Sequence, residues 1–243
     1  MSGNTEKTIT YAIGDVHGMS ELLDDLWAQI RDHAATREAI PVPIFLGDLV
    51  DRGPGNIEVM DLVSEILSTQ PKSRLILGNH DEYFFRFLTG TLDQKHRDLW
   101  LTYGGLATIK SYEIDMEANE TTEANRIKAK YPQHYKMLSD AVSCVVLDKF
   151  ILVHAGVRPG IPLSEQEPQD MRWIREPFLS SKENFEKIVV HGHTITGSGS
   201  PEAFQNRIAI DTGAFKNKRL SAMVISGGPD PQETEYEFIT VTC

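Results

Sequence analysis

Short apolar runs that stop on glycine, and then on side chains able to do chemistry, constrain this chain more than any other feature. Ile9 to Ile13 ends at Gly14, before Asp15 and His17. Ile44-Phe45-Leu46 ends at Gly47, before Asp48, Asp51 and Arg52. Leu75-Ile76-Leu77 ends at Gly78, before Asn79, His80 and Asp81. Apolar runs of this length, bounded by glycine, read as buried strands. Helical spacing fills the intervals. Ser20 stands as an N-cap before Leu22, Leu23, Leu26, Trp27 and Ile30. The turn Gly53-Pro54-Gly55 precedes Ile57, Met60, Leu62, Val63, Ile66 and Leu67, and a third helical pattern begins near Glu82. The strand–loop–helix rhythm returns about every thirty residues, the size of a βαβ unit, and predicts parallel strands in one sheet.

The rest of the chain changes character. From 94 to 140 it is polar, helical and strand-poor, with an acidic stretch (Glu113, Asp115, Glu117, Glu120, Glu123) followed by Arg126, Lys128 and Lys130. These charges read as solvated helix faces, in a cap-like insertion whose position would let it help choose a substrate. Beyond it, Val145 to Leu147, Phe150 to Val153, Ile188 to Val190, Ile208 to Ile210, Met223 to Ile225 and Tyr236 to Val241 read as strands. Glu233, Glu235 and Glu237 alternate with Thr234, Tyr236 and Phe238, as on a half-exposed final strand with a charged edge. With no internal repeat and no long linker, residues 1–243 are expected to form a single α/β domain. Its architecture is expected to be two packed mixed β-sheets flanked by helices. A chain of this length buries roughly three-quarters of its unfolded surface and needs no disulfide or structural metal to fold. Any metal it carries would serve chemistry.

Charge and cysteine usage narrow the partners. Lys and Arg number 24 against 35 Asp and Glu, a net charge of −11. Such a surface repels phosphate backbones and anionic lipid at long range, so neither nucleic acid nor membrane is expected. Cys144 sits in the apolar run Val142 to Leu147 and Cys243 is the last residue, which cannot make a disulfide framework. The polar stretch Met1 to Thr8 lacks an apolar signal core, and no segment has the apolar length to span a bilayer. The expected compartment is the cytoplasm. Nothing in the sequence sets an oligomeric state.

Polar residues recur at the strand ends. Besides those named, Phe150 to Val153 ends in His154, and Ile188 to Val190 ends in His191 and His193. Ligands bind beyond the carboxyl ends of strands in open α/β sheets, so these groups can converge. Of eight histidines, five (His17, His80, His154, His191, His193) fall at such ends, and His33, His96 and His134 are expected at the surface. Each piece alone has an ordinary explanation as a turn, a cap or a hydrogen-bonded core histidine. All of them holding together is improbable. Carboxylate, imidazole and amide oxygen, without thiolate, suit manganese, iron or zinc. Asp15, His17, Asp48, Asn79, His154 and His191 are too many ligands for one tetrahedral zinc. They suit two divalent ions with Asp48 as the bridging carboxylate. Two such ions about 3.5–4 Å apart make water acidic enough to attack phosphorus near neutral pH. Two carboxylates against two divalent ions would also leave the site locally cationic inside an acidic protein.

GDVHG (Gly14 to Gly18), GDLVDRG (Gly47 to Gly53), GNHD (Gly78 to Asp81), HAG (His154 to Gly156) and HGHT (His191 to Thr194) resemble, in order and spacing, the signature of the PPP-type metallophosphoesterases. That family includes calcineurin-like serine/threonine protein phosphatases and symmetrical dinucleoside-tetraphosphate hydrolases. The likeness spans about Ile9 to Val224. Small bacterial and phage enzymes, such as the lambda phage protein phosphatase, stand nearest by Trp173-Ile174-Arg175 and Asp211-Thr212-Gly213-Ala214. The resemblance implies one metal on Asp15, His17 and Asp48 and a second on Asp48, Asn79, His154 and His191, with manganese ranked first and iron or zinc next. It implies phosphate contacts from Arg52, Asn79, His80 and Arg175. It makes His80 the general acid, with Asp51 holding its other nitrogen. His193 is placed outside the ligand set, Arg158 is split between lining the site and the surface, and Asp211 between steering a histidine and shaping a turn. The leading expectation is a phosphomonoesterase acting on phosphoserine or phosphothreonine in a phosphoprotein or phosphopeptide. Asp51 before Arg52 favours it over the alternative, a symmetrical dinucleoside-tetraphosphate hydrolase or another small phosphoester hydrolase. A catalytically silent scaffold ranks third, since every expected position is filled.

Overall fold

Pairing of the first two apolar runs sets the frame. In the computed structural model, which describes residues 7–227 and 234–243, β1 (Thr8–Ile13) and β2 (Ile40–Phe45) lie parallel, Thr8 opposite Ile40 and Ile13 opposite Phe45. Their C-terminal halves are buried, as interior parallel strands require. β3 (Arg74–Leu75) joins β2 in parallel. It is shorter than its apolar run, because Ile76 bridges to Val142 and the Leu77 N–H donates to the Val142 carbonyl at 3.0 Å. On the other side of β1, β9 (Arg219–Ser226) and then the edge strand β10 (Glu235–Thr242) add antiparallel, so the sheet is mixed. Glu235 and Glu237 face solvent on that edge, as expected. Glu233 and Met1 to Glu6 lie outside the described residues.

The second sheet has the order β4-β5-β6-β8-β7, formed by β4 (Cys144–Val146), β5 (Phe150–Val153), β6 (Ile188–His191), β7 (Glu202–Ala203) and β8 (Arg207–Ala209). β5, β6 and β8 are parallel, and the two outer strands are antiparallel. The sheets pack face to face through Ala12, Ile44, Ile76, Leu152, Val190 and Ile208. Alternate residues point the other way: Ile9, Tyr11 and Ile13 into a helical layer, and Ile151 and Val153 toward Met171 and Phe178. The expected α/β architecture of two mixed sheets flanked by helices is the one observed.

α1 (Ser20–Thr36), α2 (Asn56–Thr69) and α3 (Asn79–Thr89) follow β1, β2 and β3. Ser20 is the first residue of α1 and not its cap. α3 starts at Asn79, three residues before the apolar periodicity begins, because the Asp81 carboxylate accepts the Gly78 N–H and supports the first turn. Residues 94–139 form α4 (Gln94–Trp100), a π-helical turn (Leu101–Gly105), α5 (Leu106–Ser111), α6 (Glu120–Lys130) and α7 (Pro132–Ser139). Glu113, Asp115 and Glu117 are solvated as expected, but Glu123 is buried against Arg126. Trp100, Tyr112, Ile127 and Leu138 enter the same core as α1–α3, so the segment is a packed layer of the sandwich. His134, expected at the surface, is fully buried between the Tyr112 hydroxyl and the Asp61 carboxylate. α8 (Pro168–Trp173) and α9 (Ala214–Asn217) complete the chain.

Candidate metal centre and active site

The loops after the parallel strands are laced together before any side chain is considered. The His17 N–H donates to the Asp48 carbonyl at 2.9 Å, and the Gly192 N–H to the His154 carbonyl at 2.8 Å. The two sheets are tied by the His193 N–H donating to Asp15 Oδ2 at 3.0 Å and by His154 Nδ1–H donating to the Leu46 carbonyl at 2.8 Å. Such closeness demands glycine: a Cβ on Gly192 would lie 1.9 Å from Asp15 Oδ1. Among the eight described non-glycine residues with positive φ, five are His17, Asp48, Asp51, Arg52 and His193. Left-handed backbone is costly for such residues and tends to concentrate at functional sites.

Asp48 lies between two groups of ligands. Its Oδ2 is 3.6 Å from His17 Nε2, and its Oδ1 is 3.5 Å from His154 Nε2. Both rings have their other nitrogen committed to a backbone carbonyl, His17 to Val50 at 2.9 Å and His154 to Leu46. A carbonyl only accepts, so Nδ1 carries the proton and each Nε2 presents a lone pair. Asn79 Oδ1, 2.9 Å from His154 Nε2, presents lone pairs to the same place. The ligand atoms of Asp48, His154 and His193 lie within 4.8 Å of one another, as do those of His17, Asp48 and His80. His193 Nε2 is buried without a partner. The unprotonated acceptors of His17, Asp48, Asn79 and His154 converge as a cation requires, and the thiolate-free set fits a hard to intermediate divalent one.

The electrostatics agree. Burial and the neighbouring Asp211 and Asp48 carboxylates push Asp15 well above the usual carboxylate range. Burial would also raise Asp48, but His154, His80, His17 and His193 outweigh it and hold Asp48 below that range. Burial keeps His17, His154 and His193 below the ordinary imidazole value, in the neutral form that binds metal.

Beside this cluster, His80 Nδ1 lies 2.6 Å from Asp51 Oδ2. Burial opposes charge on His80, yet Asp48 and Asp51 overcome it and raise its pKa above the ordinary value. Asp51 itself is completely buried and held by Trp100 Nε1–H at 2.9 Å and by the Thr108 hydroxyl at 2.5 Å. Arg52 projects across the mouth, its Nη1 2.9 Å from His17 Nε2 and its Nη2 3.0 Å from His80 Nε2, and its guanidinium lies over the Phe215 ring. Asp81, the last residue of GNHD, braces the loop through its carboxylate, which accepts the Leu49 N–H at 2.9 Å; Trp100 and Thr108 are supports that the motifs did not disclose.

The structure brings together Asp15, His17, Asp48, Asn79, His80, Asp51, Arg52 and His154. His191 departs from that set. It shares its face of β6 with Val189, and its ring lies 5.0 Å from Phe178, in the layer behind the second sheet. His193, two residues on, turns inward to the place expected of His191, with its ring 5.1 Å from that of His154. Arg175 is exposed, and its charge reaches His193 and Asp211. Arg158 pairs with Asp170 at the surface. Asp211 accepts the Gly213 N–H and shapes a turn, while burial raises its carboxyl to about 6.

Buried carboxylates facing neutral imidazoles at the strand ends of a double-sheet sandwich, with a guanidinium at the mouth, define a metallohydrolase for phosphate esters. Residues 10–227 match the model of the calcineurin-like phosphoesterases, and the chain belongs to that family. It is 28% identical over 235 residues to the asymmetrical bis(5'-nucleosyl)-tetraphosphatase PrpE of Anoxybacillus flavithermus, covering 87% of this chain and 88% of that one. The corresponding protein of Halalkalibacterium halodurans is 27% identical over 252 residues, with 94% and 92% covered. A solved structure of a putative diadenosine tetraphosphatase superposes with a TM-score of 0.63 at 20% identity, over 98% of this chain and 95% of that one. A protein serine/threonine phosphatase from Saccharomyces cerevisiae gives 0.57 at 13%, over 98% and 81%. At those identities the two structures speak to the fold.

Proposed function

We propose that this protein hydrolyses the phosphoanhydride chain of dinucleoside polyphosphates, such as a dinucleoside tetraphosphate, using two divalent cations. The observation that carries the reading is likeness along almost the whole chain to asymmetrical tetraphosphatases, 87% of this chain against 88% of the relative. It reverses the order set by the sequence, in which phosphoprotein substrates led. It also favours an off-centre cut over the symmetrical one.

In this reading Asp15, His17 and Asp48 would hold one cation, and Asp48, Asn79, His154 and His193 would hold the other. Manganese suits the set best, with iron or zinc next. When bound, the cations supply Lewis acidity and water acidic enough to attack phosphorus near neutral pH. The protein's own groups do the rest. Arg52 and Arg175 offer guanidinium forks to phosphoryl oxygens. The Asn79 amide and His80 complete the cradle. Asp51 fixes the His80 ring, so that Nε2 can hand a proton to the departing oxygen.

A phosphomonoesterase acting on phosphoserine or phosphothreonine is the second reading, favoured by the 2.6 Å His80–Asp51 pair. An alkoxide leaving group needs that proton, whereas a leaving phosphate oxygen needs it far less. Turnover of diadenosine tetraphosphate, a phosphothreonine peptide and p-nitrophenyl phosphate with added manganese separates the two. We expect the highest kcat/KM on the dinucleotide, with unequal products: a nucleoside monophosphate and a triphosphate. We expect His80→Asn to slow the phosphopeptide by about a hundredfold or more and the dinucleotide much less. Faster cleavage of the phosphopeptide by the wild-type protein would overturn the dinucleotide reading.

A further inference from the structure

Resting on the dinucleotide reading, we propose that Tyr103 is the platform on which the far base of the substrate stacks, and so determines specificity for a nucleoside-bearing polyphosphate. Its position follows from Arg52. The Arg52 N–H donates to the Gly104 carbonyl at 3.1 Å, and Arg52 Nε–H donates to the Tyr103 carbonyl at 3.3 Å. Gly104 has φ +119°, and a Cβ there would lie 2.6 Å from Arg52 Cγ. The π-helical turn is therefore pressed against the arginine that spans His17 and His80. Gly105, Thr108 and Ile109 turn inward from this segment, while Tyr103 remains 50% exposed.

Burial chiefly, and then the nearby Tyr103 phenol, raise the Tyr83 hydroxyl above its ordinary range. Tyr83 packs edge-on against Trp173 at 5.3 Å, and Trp173 lies 6.5 Å from His193. Tyr103 thus stands on the backbone that grips Arg52, in the neighbourhood from which Tyr83 and Trp173 carry aromatic packing to the metal cluster. A substrate whose reacting phosphate lies between Arg52 and the cluster would leave the mouth beside the Tyr103–Gly104 backbone, where the Tyr103 ring is exposed. An exposed π face accepts any base, and purines most strongly. A phosphopeptide brings no planar base to such a platform.

A second way out from Arg52 is a cleft of about 380 Å³ bounded by Gly53, Pro54, Ala107 and Lys110, which supplies the competing route. The test compares Tyr103→Ala, Tyr103→Phe and Lys110→Gln with the wild-type protein, on diadenosine and diuridine tetraphosphate with manganese. Thermal melts check folding. We expect Tyr103→Ala to raise KM for diadenosine tetraphosphate about tenfold, with kcat little changed and the preference for adenine over uracil lost. Tyr103→Phe should restore both. If the wild-type protein cleaves the dinucleotide and Tyr103→Ala leaves its KM and base preference intact, the platform is elsewhere. A rise in KM confined to Lys110→Gln assigns the base to the other cleft and likewise overturns the proposal. Absence of dinucleotide cleavage by the wild-type protein removes the underlying reading, and this inference with it.

Discussion

Which of two histidines faces the centre is decided by where strand β6 ends. In β6, Val190 points into the space between the sheets, while Val189 and His191 point toward Phe178. Side chains alternate along a strand, so His191 cannot reach Asp48 without breaking the sheet. His193 lies beyond the strand, and its φ of +63° turns the chain back. Parity was available in the sequence. What the motif did not reveal is where β6 stops, and element ends are the least certain feature of any pattern. The expected outcome is distinct: His193→Ala should lower the manganese bound per chain, while His191→Ala should retain two ions. Elemental analysis after gel filtration checks this, and the opposite pattern would return His191 to the ligand set.

At the scale of elements, α4, the π-helical turn and α5 do what their composition concealed. Acidic residues between 113 and 123 suggested a solvated cap, and several are solvated. Yet the turns before them carry Trp100 and Thr108 inward to Asp51, and the carbonyls of Tyr103 and Gly104 to Arg52. A hydrogen bond between residues 51 and 108 leaves no local trace in a sequence, because no spacing rule relates positions so far apart. Thr108→Val keeps the shape and removes the hydroxyl that donates to Asp51 Oδ1 and accepts from the Asp51 N–H. Leaving buried polar groups short of partners costs about 1–3 kcal/mol. A lower melting temperature together with slower turnover is expected, and a variant unchanged in both would deny the segment this role.

Over the whole molecule, the charge balance gains a location. The net −11 counts every carboxylate, and Asp15, Asp48 and Asp211 among them are buried where the two sheets meet. Uncompensated buried charge destabilises a fold, so cation binding should stabilise it. At a free metal concentration of about 100 Kd the gain is about 2.7 kcal/mol, or about 5–10 °C in melting temperature for a chain of this size. Chelation should remove that gain. Asp15→Asn, which relieves the repulsion but weakens the site, should melt higher than the wild-type protein in chelator and gain less from manganese. Equal responses of the two proteins would separate Asp15 from the metal. The sequence by itself determined the strand–helix alternation, the double-sheet class and the gathering of carboxylate, imidazole and amide at strand ends, since periodicity and residue chemistry are local. Tertiary structure alone decided that His193 and not His191 turns inward, that residues 94–111 support Asp51 and Arg52, and that Asp48 offers one oxygen to each group of ligands. Those outcomes depend on where distant backbones come to rest against one another, which only packing of the whole chain sets.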